Sequence, residues 1–370
     1  MESPQTVFES PTKNDQIDIY KDPELKIRKI QSDNPRTFNY LFEGPNIDNS
    51  VVNGLRRVIL MYIPIYGFYR TNIHIDNDRS KTMYNNDMLY NQLETLPIFD
   101  IPNMFDLENP ELFLSDDVMR AIFSRYVQKT YNDIEEMERK NAEPMKYDPN
   151  KKQFNVEISL ALKNTSDDYL FVTTHHLILR IDGKIMDSYK KRDPISIIVL
   201  RRGEEIYLTA TAYLGIAKMH AAFEATSIAY HNQISPSKYE LKFNTLGQLD
   251  TSLIFQKACM IIIKKFEILQ EYIREKYRDY DSKEEFTNIE LIGEEHTLGN
   301  LLATALQKCV HVKEAGYAVK HPFEDIAIIK FKMIEKSKKG SIEVFLDCIS
   351  YLIKLHYFIL NEFTASLGKR

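Results

Sequence analysis

The sequence predicts an α+β chain. Two small αβ dimerisation units, each a strand, a helix, a strand and a long helix, pair as an internal pseudo-dimer, and a mostly β inserted domain interrupts the first. Three observations predict this. The first is an echo: Ser50 matches Thr297, Val51 matches Leu298, Asn53 matches Asn300, Leu55 matches Leu302, Val58 matches Ala305 and Ile59 matches Leu306, at a constant offset of 247 residues. The second is that each copy is followed by a strand pattern and then a long apolar stripe of helical period. The third is that residues 67–232 carry short alternating apolar runs broken by turn residues, a β pattern. One such unit cannot bury a sheet face and two helix stripes alone, whereas two units in near-twofold contact cover each other.

The elements follow in order. Residues 1–20 are polar and expected to be loose. Thr37-Phe38-Asn39-Tyr40-Leu41-Phe42 alternates as a strand, and Gly44-Pro45 ends it. Positions 51, 52, 55, 58, 59 and 62 form the stripe of the first helix, with Ser50 as the expected N-cap and Pro64 as the stop. Asp116 to Lys140 has a helical pattern. Phe154–Leu162 and Leu170–Ile181 read as strands, Asp182-Gly183 as a turn, and Ile195–Leu200 with Ile206–Ala212 as a hairpin turning at Gly203. Tyr239–Phe243 parallels Ala327–Phe331 and leads into a helix from about Ser252 to Tyr277, with Ile254, Ala258, Ile261, Ile262, Phe266, Leu269 and Ile273 on one stripe. The charged run Arg278–Glu285 is a linker. The pattern then restarts: a strand over Phe286–Ile292, a helix to about Val310, a turn at Gly316-Tyr317, a strand over Ile326–Met333, a turn over Lys336–Gly340, and a final helix with Ile342, Phe345, Ile349, Leu352, Leu355, Ile359 and Phe363 in line. The expected domains are 21–66 with 233–280, the insert 67–232, the linker 281–285 and the second unit 286–370.

Composition bounds the function. A chain of 370 residues exceeds one ordinary core. A net charge of −5 argues against a protein whose main task is gripping nucleic acid. Cys259, Cys309 and Cys348 are dispersed in helical apolar patterns and read as buried hydrophobes in a reducing compartment. Neither a secretory h-region nor an apolar run of membrane-spanning length is present. There is also no phosphate loop, no His-Glu-x-x-His spacing and no aspartate triplet for magnesium.

Several stretches carry a specific resemblance. Asn53-Gly54-Leu55-Arg56-Arg57 with Ile63-Pro64 resembles the N-x-L-R-R…I-P signature of bacterial RNA polymerase alpha subunits, the archaeal D subunit and the third-largest subunit of RNA polymerase II. Asn86–Ile98 is a partial match to the segment that follows there, without its His-Arg-Leu-Gly. Leu200–Ile206 and Gly215-Ile216-Ala217-Lys218-Met219-His220-Ala221 resemble two further stretches of that subunit. Glu295-His296-Thr297-Leu298-Gly299-Asn300, then Gly316-Tyr317, then His321-Pro322-Phe323-Glu324, resemble the eleventh subunit and the archaeal L subunit. The order is kept over residues 24–363, and such a fusion is similar to the arrangement in large nucleocytoplasmic DNA viruses.

The resemblance implies a non-catalytic assembly platform of a DNA-directed RNA polymerase. By that resemblance the first half faces the second-largest subunit, the second half faces the largest, and the insert meets small assembly subunits. DNA and RNA are met only through the complex, no membrane is involved, no homodimer forms, and the place of action is the virion and the host cytoplasm. Some relatives bind zinc or an iron–sulfur cluster through cysteines of the insert; residues 67–232 contain none, so no metal and no cofactor is expected. The expected subunit-interface residues are Asn53, Leu55, Arg56, Arg57, Gly215, Lys218, His220, His296, Thr297, Leu298, Gly299, Asn300, Gly316, Tyr317, His321 and Pro322.

The residues on their own leave other readings open. Arg56 and Arg57 are guanidinium forks for a partner's carboxylates or two solvated side chains. Lys218 and His220 are an acid–base pair, as in a hydrolase with a further acid, or a loop contact. His175 and His176, adjacent on an alternating strand, point to opposite faces. A free-standing dimerising αβ binding module, unrelated to transcription, also fits the pattern.

Overall fold

A computed structural model describes residues 19–101, 110–123, 151–278, 285–321, 324–335 and 337–368. In chain order its strands and helices are β1 (Lys26–Lys29), β2 (Thr37–Glu43), α1 (Asn49–Met61), β3 (Ile65–Ile75), α2 (Asn86–Glu94), α3 (Asp116–Ile122), β4 (Val156–Lys163), β5 (Leu170–Thr173), β6 (Ile178–Ile181), β7 (Lys184–Met186), β8 (Ser196–Leu200), β9 (Glu205–Gly215), β10 (Thr226–Ser235), β11 (Lys238–Thr245), α4 (Thr251–Lys276), β12 (Thr287–Ile292), α5 (His296–Lys308), β13 (Val312–His321), β14 (Glu324–Met333) and α6 (Ser341–Leu367). The mixed α+β class follows from this order. The expected helix beyond Ile122, most of the linker, Pro322 and the start of the Lys336 turn lie outside the described residues.

The alternation read from the sequence sets the inner face of the first sheet. Phe38, Tyr40 and Phe42 of β2 and Tyr239, Leu241 and Phe243 of β11 are buried, and they lie directly opposite one another across the antiparallel pair. Phe38 stacks on Phe243 at 4.5 Å between ring centroids and on Phe255 of α4 at 5.0 Å, while Phe255 meets Phe363 of α6 at 4.5 Å. The rings therefore tie the first sheet to both long helices. The stripes on these helices are buried as their periods require, with only Ile342 less covered. Leu55, Leu298, Ile262 and Leu352 all belong to one continuous core.

Both sheets carry a strand that the alternation did not reveal. The first has the order β1-β2-β11-β10 and the second β12-β14-β13. Gly316 and Tyr317 are not a turn: they sit within β13, opposite Lys330 and Ile329. β10 runs through the expected boundary at 232 and pairs with β11 along its length. The repeated unit is thus strand, helix, two-strand hairpin, long helix. β10 and β13 are edge strands, and the mixed exposure of β10, with Ile228, Tyr230 and Ile234 outward, gives no clean period of two.

The insert has its own core, with Phe68, Leu93, Ile158, Leu179 and Leu208 buried inside it. Its sheet has the order β3-β9-β4-β6-β7, beside a β5-β8 pair. β3 begins at Ile65, so the expected boundary at residue 66 also falls within a strand. β8 and β9 do not form the expected hairpin. The turn at Gly203 (φ 82°) exists, but it hands the chain from β5's partner to the central strand between β3 and β4. The turn at Asp182-Gly183, both at positive φ, joins β6 to β7 as the Asp-Gly pair requires. His175 and His176 are not on a strand but in a short 3-10 turn, Thr174–His176. His176 accepts from the Thr173 amide at 3.1 Å, and His175 Nε2 donates to the Arg192 carbonyl at 2.8 Å.

One further expectation is corrected. The N-cap of α1 is Asp48, which accepts from the Val51 amide at 3.0 Å, while Ser50 lies inside the first turn and donates to Asp48 at 2.6 Å. A carboxylate at this place meets the positive end of the helix dipole as well as the free amides. Cys259, Cys309 and Cys348 are free and buried, as their apolar settings predict, and Cys309 is the C-cap of α5. No helix among the described residues is long and apolar enough to cross a membrane.

Candidate functional site at the seam between the units

Helices α1 and α5 pack against each other at small residues. A Cβ on Gly54 would lie 3.0 Å from Leu301 Cδ1, so α1 carries a glycine where α5 presents a leucine. Leu55 and Leu298 are fully buried in the one continuous core. Gly299 is required for a different reason: a Cβ there would lie 2.7 Å from the Tyr317 ring, which covers the helix from β13. His296 Nδ1 is 3.3 Å from the Tyr317 hydroxyl, and the two rings meet edge to face.

Each helix start is held by a cation from the other helix. Asp48, the N-cap of α1, is paired with Lys308 near the end of α5 at 2.5 Å. Burial would raise the Asp48 carboxyl, but Lys308, Ser50 and the Val51 amide override it and hold it below the usual carboxylate range. Glu295 is the N-cap of α5 and stands 247 residues after Asp48. Arg57 of α1 lies 3.8 Å from Glu295 and donates from Nε to Thr297 Oγ1 at 2.8 Å. The two helices therefore run antiparallel, and the two contacts are near-equivalents.

A second layer of charge surrounds the loop before α5. Lys265 of α4 and Glu294 form a buried pair at 2.9 Å, with side chains 2% and 4% exposed. Lys218 reaches Glu295 at 3.4 Å and Asp325 at 3.2 Å. The Tyr62 ring lies near both ammonium groups, 4.7 Å from Lys265 Nζ and 5.7 Å from Lys218 Nζ. Burial would lower the Lys218 pKa, but Tyr62, Asp325 and Glu295 outweigh it and fix the ammonium well above the usual lysine range. The Lys218 amide donates to the Met61 carbonyl at 2.9 Å, joining the exit of the insert to the end of α1.

The structure thus brings Arg57, Lys218 and Thr297 together around Glu295 at the start of α5, with Gly299 packed against Tyr317, while Leu55 and Leu298 lie in the shared core. Arg56 is held along its own helix, donating to Asn53 Oδ1 at 3.0 and 2.9 Å, and it is partly exposed, as is Asn300. His220 does not pair with Lys218. Its ring caps a short turn, accepting from the Ala222 amide at 3.2 Å, and packs edge-on against Tyr69 at 4.8 Å. Gly215 is needed for packing, since a Cβ there would lie 2.7 Å from the Phe223 ring. Gly316 faces open space, and His321 ends β13. Lys218 is thus held in ion pairs and His220 serves as a cap. No group of His, Cys, Asp and Glu among the described residues is arranged to hold a metal.

Sequence reasoning missed Asp48, Lys265, Glu294, Lys308 and Asp325. For Asp48 a signal existed, since extending the repeat by two positions sets it against Glu295. The others are single charges whose partners are far away in sequence.

The RNA polymerase Rpb3/Rpb11 dimerisation-domain model matches residues 287–360. A protein named as a DNA-directed RNA polymerase subunit of Acanthamoeba polyphaga mimivirus is 43% identical over 342 residues, covering 92% of this chain and 94% of that one. Subunit 3 of RNA polymerases II, IV and V of Arabidopsis thaliana is 25% identical over 209 residues, 54% of this chain and 53% of its own. The archaeal subunit Rpo11 of Saccharolobus shibatae is 43% identical over 49 residues, 13% of this chain and 53% of its own. With the full-length mimivirus relative and matches to both a third and an eleventh subunit, the chain belongs to the Rpb3/Rpb11 family of DNA-directed RNA polymerase subunits.

Proposed function

We propose that this chain is the non-catalytic assembly platform of a viral multisubunit DNA-directed RNA polymerase, with both partners of the family's dimer fused as an internal pseudo-dimer. The observation that carries this reading is the 43% identity to the mimivirus polymerase subunit across 92% of the chain. In this reading the first unit comprises β1, β2, α1, β10, β11 and α4, and β3 to β9 form the insert. The first unit meets the second-largest polymerase subunit, the second unit meets the largest, and the insert meets small assembly subunits. The partly or fully exposed Asn53, Arg56, His296, Asn300 and Gly316 are the expected interface residues left to face other chains. The seam is filled from within, so the chain is a monomer until it joins the complex. It acts where viral transcription takes place, in the host cytoplasm, and is carried in the virion.

Affinity purification of the tagged full-length chain with its complex tests this. The two largest polymerase subunits are expected in the eluate, and the lone chain is expected to transfer no nucleotides. Recovery without either large subunit, or nucleotide polymerisation by the chain alone, overturns the reading.

A further inference from the structure

We propose that the outer edge of β12 receives an extended strand from another polymerase subunit. This rests on the assembly-platform reading above. The two units share the sheet order β2-β11-β10 and β12-β14-β13, so β2 and β12 are counterparts. In the first unit the outer edge of β2 is covered: β1 pairs antiparallel with it over Lys26–Lys29, and Ile27 is buried beneath. In the second unit, among the described residues, no strand pairs with β12 on that side. Among the described residues, no strand lies between α4 and β12.

The geometry at this edge fits a strand. β12 alternates cleanly: Thr287, Ile289 and Leu291 are buried, while Asn288 and Glu290 are exposed. The Glu290 amide points away from β14, since it donates to the Tyr277 hydroxyl at 3.4 Å. In an antiparallel ladder the backbone groups of Asn288 and Ile292 share that outward direction. Tyr277, at the end of α4, stands over the edge as a weak side-chain substitute for a strand. Such a row of outward amides and carbonyls recruits extended segments by main-chain hydrogen bonding, with alternate side chains giving specificity. The filled counterpart defines the occupant: a short extended segment, antiparallel to β12, with one apolar residue turned inward between charged ones, as in Lys26-Ile27-Arg28-Lys29.

Hydrogen–deuterium exchange on the full chain, free and within the purified polymerase, tests the proposal. Amides of the segment 287–293 are expected to exchange about tenfold more slowly in the complex. A photo-crosslinker at Asn288 is expected to capture an extended segment of another polymerase subunit. The variant Glu290→Pro removes an outward N–H whose printed bond is the long one to Tyr277, together with the exposed carboxylate, and an edge position tolerates this. It is expected to melt within a few degrees of the parent while losing both the protection and the cross-link. Unchanged exchange in a complex that contains the large subunits overturns this proposal and leaves the platform reading standing. So does a cross-link to this chain's own residues or to a second copy. Failure to recover the large subunits at all overturns both.

Discussion

Gly54 of α1 sits directly against Leu301 of α5, where a Cβ on the glycine would come within 3.0 Å of the leucine Cδ1. The two residues are 247 apart, the same offset that relates Ser50 to Thr297. In the proposed near-twofold pairing of the two units, a position at the axis meets its own counterpart. Only one side chain fits there, and the sequence places a leucine on one helix and a glycine on the other.

Filling both places should therefore fail. Gly54→Leu puts a second leucine into a packed seam and is expected to cost about 1–3 kcal/mol, read as a fall in the chemical denaturation midpoint. The exchange Gly54→Leu with Leu301→Gly restores one side chain at the axis, and the helix-propensity changes of the two glycines cancel. Recovery of at least half of the lost stability is expected. A double variant no better than Gly54→Leu contradicts this geometry.

The buried pair Lys265–Glu294 makes a different prediction. Lys265→Met leaves a carboxylate uncompensated and is expected to cost about 3–5 kcal/mol. Adding Glu294→Leu removes that orphan charge and should recover most of the loss. Equilibrium unfolding of both variants checks the coupling; additive losses would show that the two groups act independently.

Much of this architecture was legible because it rests on periods. The stripes of α4 and α6 and the alternation of β2 and β11 face one core, so their spacing records which side is buried. β10 and β13 escaped because edge strands have mixed exposure: Ile228 and Ile234 are outward, and β13 reads as Val-Lys-Glu-Ala-Gly-Tyr. The candidate residues Arg57 and Thr297 were found through the echo and the motif, but their contact was not, because no local pattern links residues 240 apart. Lys308 and Asp325 gave no signal for the same reason.

His356 predicts a dependence on pH. It is fully buried, its Nδ1–H donates to the Leu352 carbonyl at 2.7 Å, and Nε2 has no partner among the described residues. Burial pushes its pKa down to about 4, below the ordinary 6.5. Between those values the unfolded chain binds the extra proton, so stability falls as pH drops from 6.5 toward 4 and is fully present above 6.5. The loss is at most about 3 kcal/mol. His356→Leu should flatten the stability–pH curve in that window; an unchanged slope would remove His356 as its source.

Asp48 acts lower. Its carboxyl is held below 3.8, so its contribution is present above that pH and is lost as pH falls through the folded value. At pH 7, Asp48→Asn keeps a capping oxygen but drops the pair with Lys308, whereas Asp48→Ala loses both. The Ala variant is expected to be less stable than the Asn variant by about 1 kcal/mol, measured by thermal unfolding. Equal losses would show that the cap contributes nothing beyond the ion pair.

The internal pairing of two units is most directly tested by cutting the chain. A protease site placed between Arg278 and Glu285 severs the backbone where the first unit passes to the second. One continuous core and the antiparallel α1–α5 seam predict that the cleaved protein still elutes from gel filtration as a single species of the parent's size. Two separate fragments, each eluting at its own size, would contradict the account.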